Sequence, residues 1–126
     1  MNPKMKIRTY DQSFISELNR WYSLLLPKLV PMLYKNGGPV ITVQVENEYG
    51  SYGCDFQYNV YLRDKLIQHL GRDVVLFTTD GNADNYLKCG KIDNVFATVD
   101  FGPATNVTEA FAVQHRHQQF GPNVNS

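Results

Sequence analysis

Net charge is absent from this chain: across 126 residues, 12 Lys and Arg offset 12 Asp and Glu. Without an excess of basic groups there is no electrostatic pull toward nucleic acid or an anionic membrane. The basic residues are scattered and form no stripe interleaved with aromatics, so nucleic-acid binding is not expected. Long apolar runs are missing too. A bilayer-spanning helix needs about 20 apolar residues, and Leu24-Leu25-Leu26 is cut short by Pro27. Met1 to Lys6 carries positive charge with no apolar stretch behind it. No export signal is therefore legible, and the reading is a cytosolic chain or one with sequence upstream. Cysteine is scarce: Cys54 and Cys89 permit one pairing or two free thiols, and counting leaves both open. Asn106-Val107-Thr108 is a glycosylation sequon, a triplet that also arises by chance.

What is present suits one small globular domain or a piece of a larger one. Phe14, Leu18, Trp21, Leu25 and Leu29 recur at helical spacing, which predicts a helix from Phe14 to Tyr34 with Phe14, Trp21 and Tyr22 in the core. Asp11 or Ser13 can cap its start, and Pro27 and Pro31 kink or end it. Asn36-Gly37-Gly38-Pro39 breaks the chain. Three continuous apolar runs follow, Val40 to Glu48, Val74 to Asp80 and Val95 to Asp100. Such runs suit parallel strands covered on both faces. Between the first two, Phe56, Val60, Leu66, Ile67 and Leu70 fit a helical face closed by Gly71. A short helix is expected over Asn82 to Leu87 and a longer one over Thr108 to Gln118, with Pro122 to Ser126 starting a fourth strand. Strict alternation indicates an α/β fold. Four strands do not close a barrel, so the expectation is a partial (β/α) barrel.

The first strand carries the chemistry. Burying a carboxylate without a partner costs several kcal/mol, yet Val43-Gln44-Val45-Glu46-Asn47-Glu48 ends in two. The usual cause is an active site at the carboxyl end of a parallel strand. Period-two alternation puts Gln44, Glu46 and Glu48 on one face, turned to the barrel interior, with Val43 and Val45 toward the helices. Glu48 then projects to the mouth, while Glu46 reads as a buried structural acid bonded to neighbouring strands. Tyr49 and Tyr52 can border the pocket. His115 and His117 are spaced by two on a helix, which does not put both on one face, so no metal site is expected. His69 reads as a surface residue near a helix end.

The segment Gly37-Gly38-Pro39-Val40-Ile41-Thr42-Val43-Gln44-Val45-Glu46-Asn47-Glu48-Tyr49-Gly50 closely resembles the catalytic segment of the glycoside hydrolase family 35 β-galactosidases. The likeness continues through Asp73 to Gly81, Thr98 to Gly102, and Gly121-Pro122 with Asn125-Ser126, and is strongest to the lysosomal animal members. It implies that residues 1–126 are a fragment of a catalytic TIM-barrel domain, running from the helix before strand four to the start of strand seven. It also implies retaining hydrolysis of terminal β-linked galactose with no metal or organic cofactor. Glu48 would be the general acid/base, and Asn47 would bond the sugar near its 2-hydroxyl. For both to meet one sugar, the strand end must twist or bulge.

Retention needs a second carboxylate roughly 5 to 5.5 Å from the first. In the family it follows an Asn-Ser pair like Asn125-Ser126, so it is expected beyond this chain. Asp80 and Asp100 are read as acids that line or brace the site. The resemblance further implies a Cys54–Cys89 disulfide, a glycosylated Asn106, and a lysosomal or secreted parent. The isolated chain is expected to be inactive, and the oligomeric state is open. Rival readings are a silent galactoside-binding remnant, a structural fragment without a ligand, and a related retaining glycosidase of other sugar preference.

Overall fold

The computed structural model of the protein describes residues 3–118 and 121–125. Helix α1 spans Gln12–Leu29, with the Asp11 carboxylate accepting from the Ser13 and Phe14 amides as its N-cap. Pro27 is tolerated two residues from the end of α1, and 3₁₀ turns at Val30–Met32 and Tyr34–Asn36 replace the longer helix expected. Gly37 closes the second turn at φ 86, and any Cβ on Gly38 would strike the Met32 backbone. The left-handed backbone accounts for Gly37, and the close approach to Met32 for Gly38.

Three strands follow, β1 (Thr42–Asn47), β2 (Val75–Gly81) and β3 (Phe96–Asp100), paired in parallel in the order β1-β2-β3. The connections are α2 (Tyr49–Tyr52) with α3 (Phe56–Leu70), then α4 (Asp84–Gly90), and α5 (Val107–His117) follows β3. The four-residue α2 was not expected from the pattern. Asp55 caps α3 through the Tyr58 amide, and Asn106 caps α5 through the amides of Thr108 and Glu109. Residues Pro122 to Asn125 make only an isolated parallel bridge, Val99 with Asn125, in place of the fourth strand expected there. Ser126 lies outside the described residues.

The helices bury one face of the sheet. Ile15, Leu26, Val45, Tyr58, Leu62, Leu66, Leu70 and Leu76 form the larger core, and Leu87, Ala97 and Val99 a smaller one under α5. Two expected faces are corrected. Trp21 is 58% exposed, because Ile15, Leu18, Tyr22 and Leu26 carry the inward stripe of α1. In α3 the buried row is Tyr58, Leu62, Leu66 and Leu70, which leaves Phe56 and Val60 outside. The other sheet face is open: Thr42, Val75, Phe77, Phe96 and Thr98 line a groove of about 410 Å³.

Candidate active site

The end of β1 departs from regular pairing. Gln44 pairs with Phe77 and Asn47 with Thr79, so three steps on β1 oppose two on β2. This bulge sends both Val45 and Glu46 toward the helices. Val45 enters the core, and Glu46 accepts from the Tyr58 hydroxyl at 2.9 Å and from Arg8 Nε and Nη2 at 3.1 and 2.9 Å. Glu46 therefore leaves the face it was expected to share with Gln44 and Glu48, and its partners are a helix and the N-terminal segment, not neighbouring strands. Gln44 donates to Asn47 Oδ1 at 2.9 Å, so these two amides occupy the open side together.

Glu48 sits just past the strand in the left-handed region, φ 50 and ψ 36. A non-glycine residue there is strained by about 1–3 kcal/mol, and such strain concentrates at functional sites. Its amide donates to the Thr79 carbonyl at 2.7 Å, and its carbonyl accepts from the Ser51 amide and hydroxyl. The surrounding chain thus fixes the turn, while the carboxyl stays exposed at the carboxyl edge of the sheet. A hydrogen bond shared with the Asp100 carboxyl, together with the Asp100 charge, raises the Glu48 pKa above the ordinary glutamate value; Arg8 opposes this. Its carboxyl therefore stays protonated to higher pH than that of a free glutamate.

Asp80, the penultimate residue of β2, is only 1% exposed. One carboxylate oxygen accepts from the Gly50 amide at 2.7 Å, and the other has no partner among the described residues. Burial raises its pKa to about 6, with Glu46 and Glu48 adding to the rise and the Gly50 bond and Arg8 opposing it. The Gly50 amide belongs to the first turn of α2, so Asp80 supplies the cap that Glu48 does not provide. Both strand-end acids expected to brace the site touch its framework, Asp100 directly on Glu48 and Asp80 through α2.

The remaining candidates separate. Tyr49 is buried, with its hydroxyl on the Arg8 carbonyl at 3.0 Å, so it lies beneath the edge and does not border a pocket; Tyr52 remains exposed. Cys54 and Cys89 are bonded, S–S 2.07 Å, tying the segment before α3 to α4. His117 and Arg116 both pair with Asp84, lowering its pKa to about 2 through Arg116 first and His117 second, whereas His115 is exposed. Among the described residues no group of three His, Cys, Asp or Glu side chains could hold a metal ion. Asn106 is exposed at the start of α5. Arg8 falls in no motif or periodic stripe of the sequence, whereas Tyr58 stands on the i+4 row Tyr58, Leu62, Leu66 and Leu70, the signal that could have found it.

The chain is an alternating α/β unit whose acids Glu48, Asp80 and Asp100 gather at the carboxyl edge of a parallel sheet, where α/β folds commonly hold their ligands. Residues 1–126 match the profile of the family described as Glycosyl hydrolases family 35. The chain belongs to that family. The Beta-galactosidase of Homo sapiens is 51% identical over 121 residues, covering 95% of this chain and 18% of that protein. The Beta-galactosidase of Mus musculus is 50% identical over the same share of this chain. The Beta-galactosidase-1-like protein of Mus musculus is 46% identical over 126 residues, 99% of this chain and 19% of that protein. The chain thus spans about a fifth of the length of the curated relatives it matches. No helix among the described residues is long and apolar enough to cross a membrane.

Proposed function

We propose that residues 1–126 are part of the catalytic barrel of a retaining β-galactosidase, with β1, β2 and β3 as its fourth, fifth and sixth strands and Asn125 at the entry to the seventh. Glu48 is the general acid/base. It protonates the departing glycosidic oxygen, then takes a proton from the water that releases the galactosyl-enzyme. Asn47 bonds the galactose near its 2-hydroxyl, a contact that strengthens as positive charge develops on the ring. The nucleophilic carboxylate belongs to the part of the enzyme that this chain does not span. The substrate is a terminal β-galactoside, no metal or organic cofactor takes part, and the parent is lysosomal or secreted with a glycan on Asn106.

One observation carries the reading. Glu48 is held in a strained turn just past the strand end, its pKa raised by Asp100, and it directly follows Asn47, whose side chain lies with Gln44 on the open face. An acid that must both give and regain a proton needs such a fixed position and a raised pKa. The test is hydrolysis of a β-galactoside by the full-length gene product, followed by NMR of the first sugar released. The β-anomer is expected first, and Glu48→Gln is expected to slow turnover of unactivated galactosides by about 10²–10⁴-fold. Release of the α-anomer, or an unaffected Glu48→Gln enzyme, would reject the proposal.

A further inference from the structure

We propose that Arg8 is a positioning residue of this site: its guanidinium holds the bulge that carries Asn47 and Glu48 to the open face. The inference rests on the function just proposed and adds a residue 38 positions upstream of Glu46 to it.

The geometry is specific. Arg8 forks onto both Glu46 oxygens, and the same Nη2 donates to the Asn47 carbonyl at 2.8 Å. The guanidinium lies 4.2 Å from the centre of the Tyr52 ring and 5.5 Å from that of Tyr49. The Tyr49 hydroxyl donates to the Arg8 carbonyl at 3.0 Å, and the Tyr52 hydroxyl to the Ile7 carbonyl at 3.1 Å. Arg8 itself has φ 52, a left-handed backbone in a non-glycine residue. Two strained residues, Arg8 and Glu48, thus lie on either side of one set of contacts. Residues before and after Glu48 are both fastened to the same short segment.

The bulge requires two consecutive side chains to turn toward the helices. Val45 does so readily, but Glu46 is a carboxylate only 11% exposed. It stays there because a planar, permanently charged fork matches its two oxygens. Without that fork, Glu46 keeps only the Tyr58 hydroxyl and the Asn47 amide. Regular pairing would then be favoured, and a slip of one residue turns each following side chain to the opposite face. Asn47 and Glu48 would lose their shared orientation toward the sugar.

Charge gives a second readout. Arg8 lowers the Glu48 pKa, against the larger raising effect of Asp100. In the acid step Glu48 must be protonated, so kcat/KM falls as pH rises through its pKa. Removing the Arg8 charge moves that alkaline limb to higher pH. Arg8→Lys keeps the charge and loses the fork.

The experiment measures kcat, KM and pH profiles for the full-length enzyme carrying Arg8→Gln, Arg8→Lys or Glu48→Gln. Displacement of the reacting groups is expected to lower kcat/KM by about 10²-fold in Arg8→Gln, chiefly in kcat, with the alkaline limb shifted upward. Arg8→Lys is expected to lose at least about tenfold with the limb in place, since only the geometry is lost. Arg8→Gln within twofold of the parent with an unmoved limb would overturn the inference. Should Arg8→Gln fail to fold, Arg8→Lys decides: a folded variant with full activity overturns the inference, and a folded, slowed one upholds it. Glu48→Gln separates the two layers, because full activity there would overturn the proposed function itself, whatever the Arg8 variants do.

Discussion

Asp80 shows how one buried group gives the site a pH dependence. Its pKa is raised to about 6, so the folded protein binds this proton more tightly than the unfolded chain does. The stabilisation is complete below the ordinary aspartate pKa near 3.9 and is lost as pH rises through about 6. A shift of this size corresponds to about 3 kcal/mol. Glu46 and Glu48 act in the same sense on Asp80, and Arg8 and the Gly50 amide in the opposite one. In the full-length enzyme Asp80→Asn keeps an acceptor for Gly50 and cannot titrate, so the fall in melting temperature between pH 4 and 6 is expected to flatten. A variant retaining the parent's full slope would show that other groups carry it. Glu48 was legible in the sequence as a carboxylate ending an apolar strand. Arg8 was not, because its importance arises only when residues 8 and 46 meet in space.

Elements were read well where local chemistry dictates them. Asp11 caps α1, Gly71 follows α3, and continuous apolar runs became parallel strands. The bulge was anticipated as a need but not located, since alternation alone gives no reason for Glu46 to change faces. The helix faces of Trp21, Phe56 and Val60 were misjudged because apolar spacing does not tell an inward row from an outward one. Gly50 is another contribution hidden from periodicity. A Cβ there would overlap the Tyr86 carbonyl where α2 meets α4, and the Gly50 amide holds Asp80. Gly50→Ala is therefore expected to destabilise the fold by about 1–3 kcal/mol, as forced overpacking does, and to lower kcat by moving Glu48. Chemical denaturation of the full-length enzyme checks the first effect and its kinetics the second. An unchanged midpoint would show that the α2–α4 contact yields easily.

At the scale of the whole molecule, the sheet is covered on one side only. Thr42, Val75, Phe77 and Phe96 line an open groove, and Trp21, Leu24 and Ile41 are exposed on the outer surface. These surfaces suit a segment that packs within a larger barrel, where further strands and helices cover them. The isolated chain is accordingly expected to lack a cooperative thermal transition and to release no galactose. A sharp unfolding transition by circular dichroism would contradict the first expectation. The alternation of strands and helices was evident from residue order. The bare face was not, because continuous apolar runs indicate strands covered on both faces.

Proton delivery by Glu48 is tested most directly by varying the leaving group in the Glu48→Gln enzyme. If Glu48 is the acid, the galactosylation rate constant in single turnover is expected to fall by about 10²–10⁴-fold for alkyl galactosides, whose leaving groups need a proton. For a dinitrophenyl galactoside, whose leaving group departs unprotonated, it is expected to stay near that of the parent. A uniform loss across both substrates would contradict the assignment, as would no loss in either.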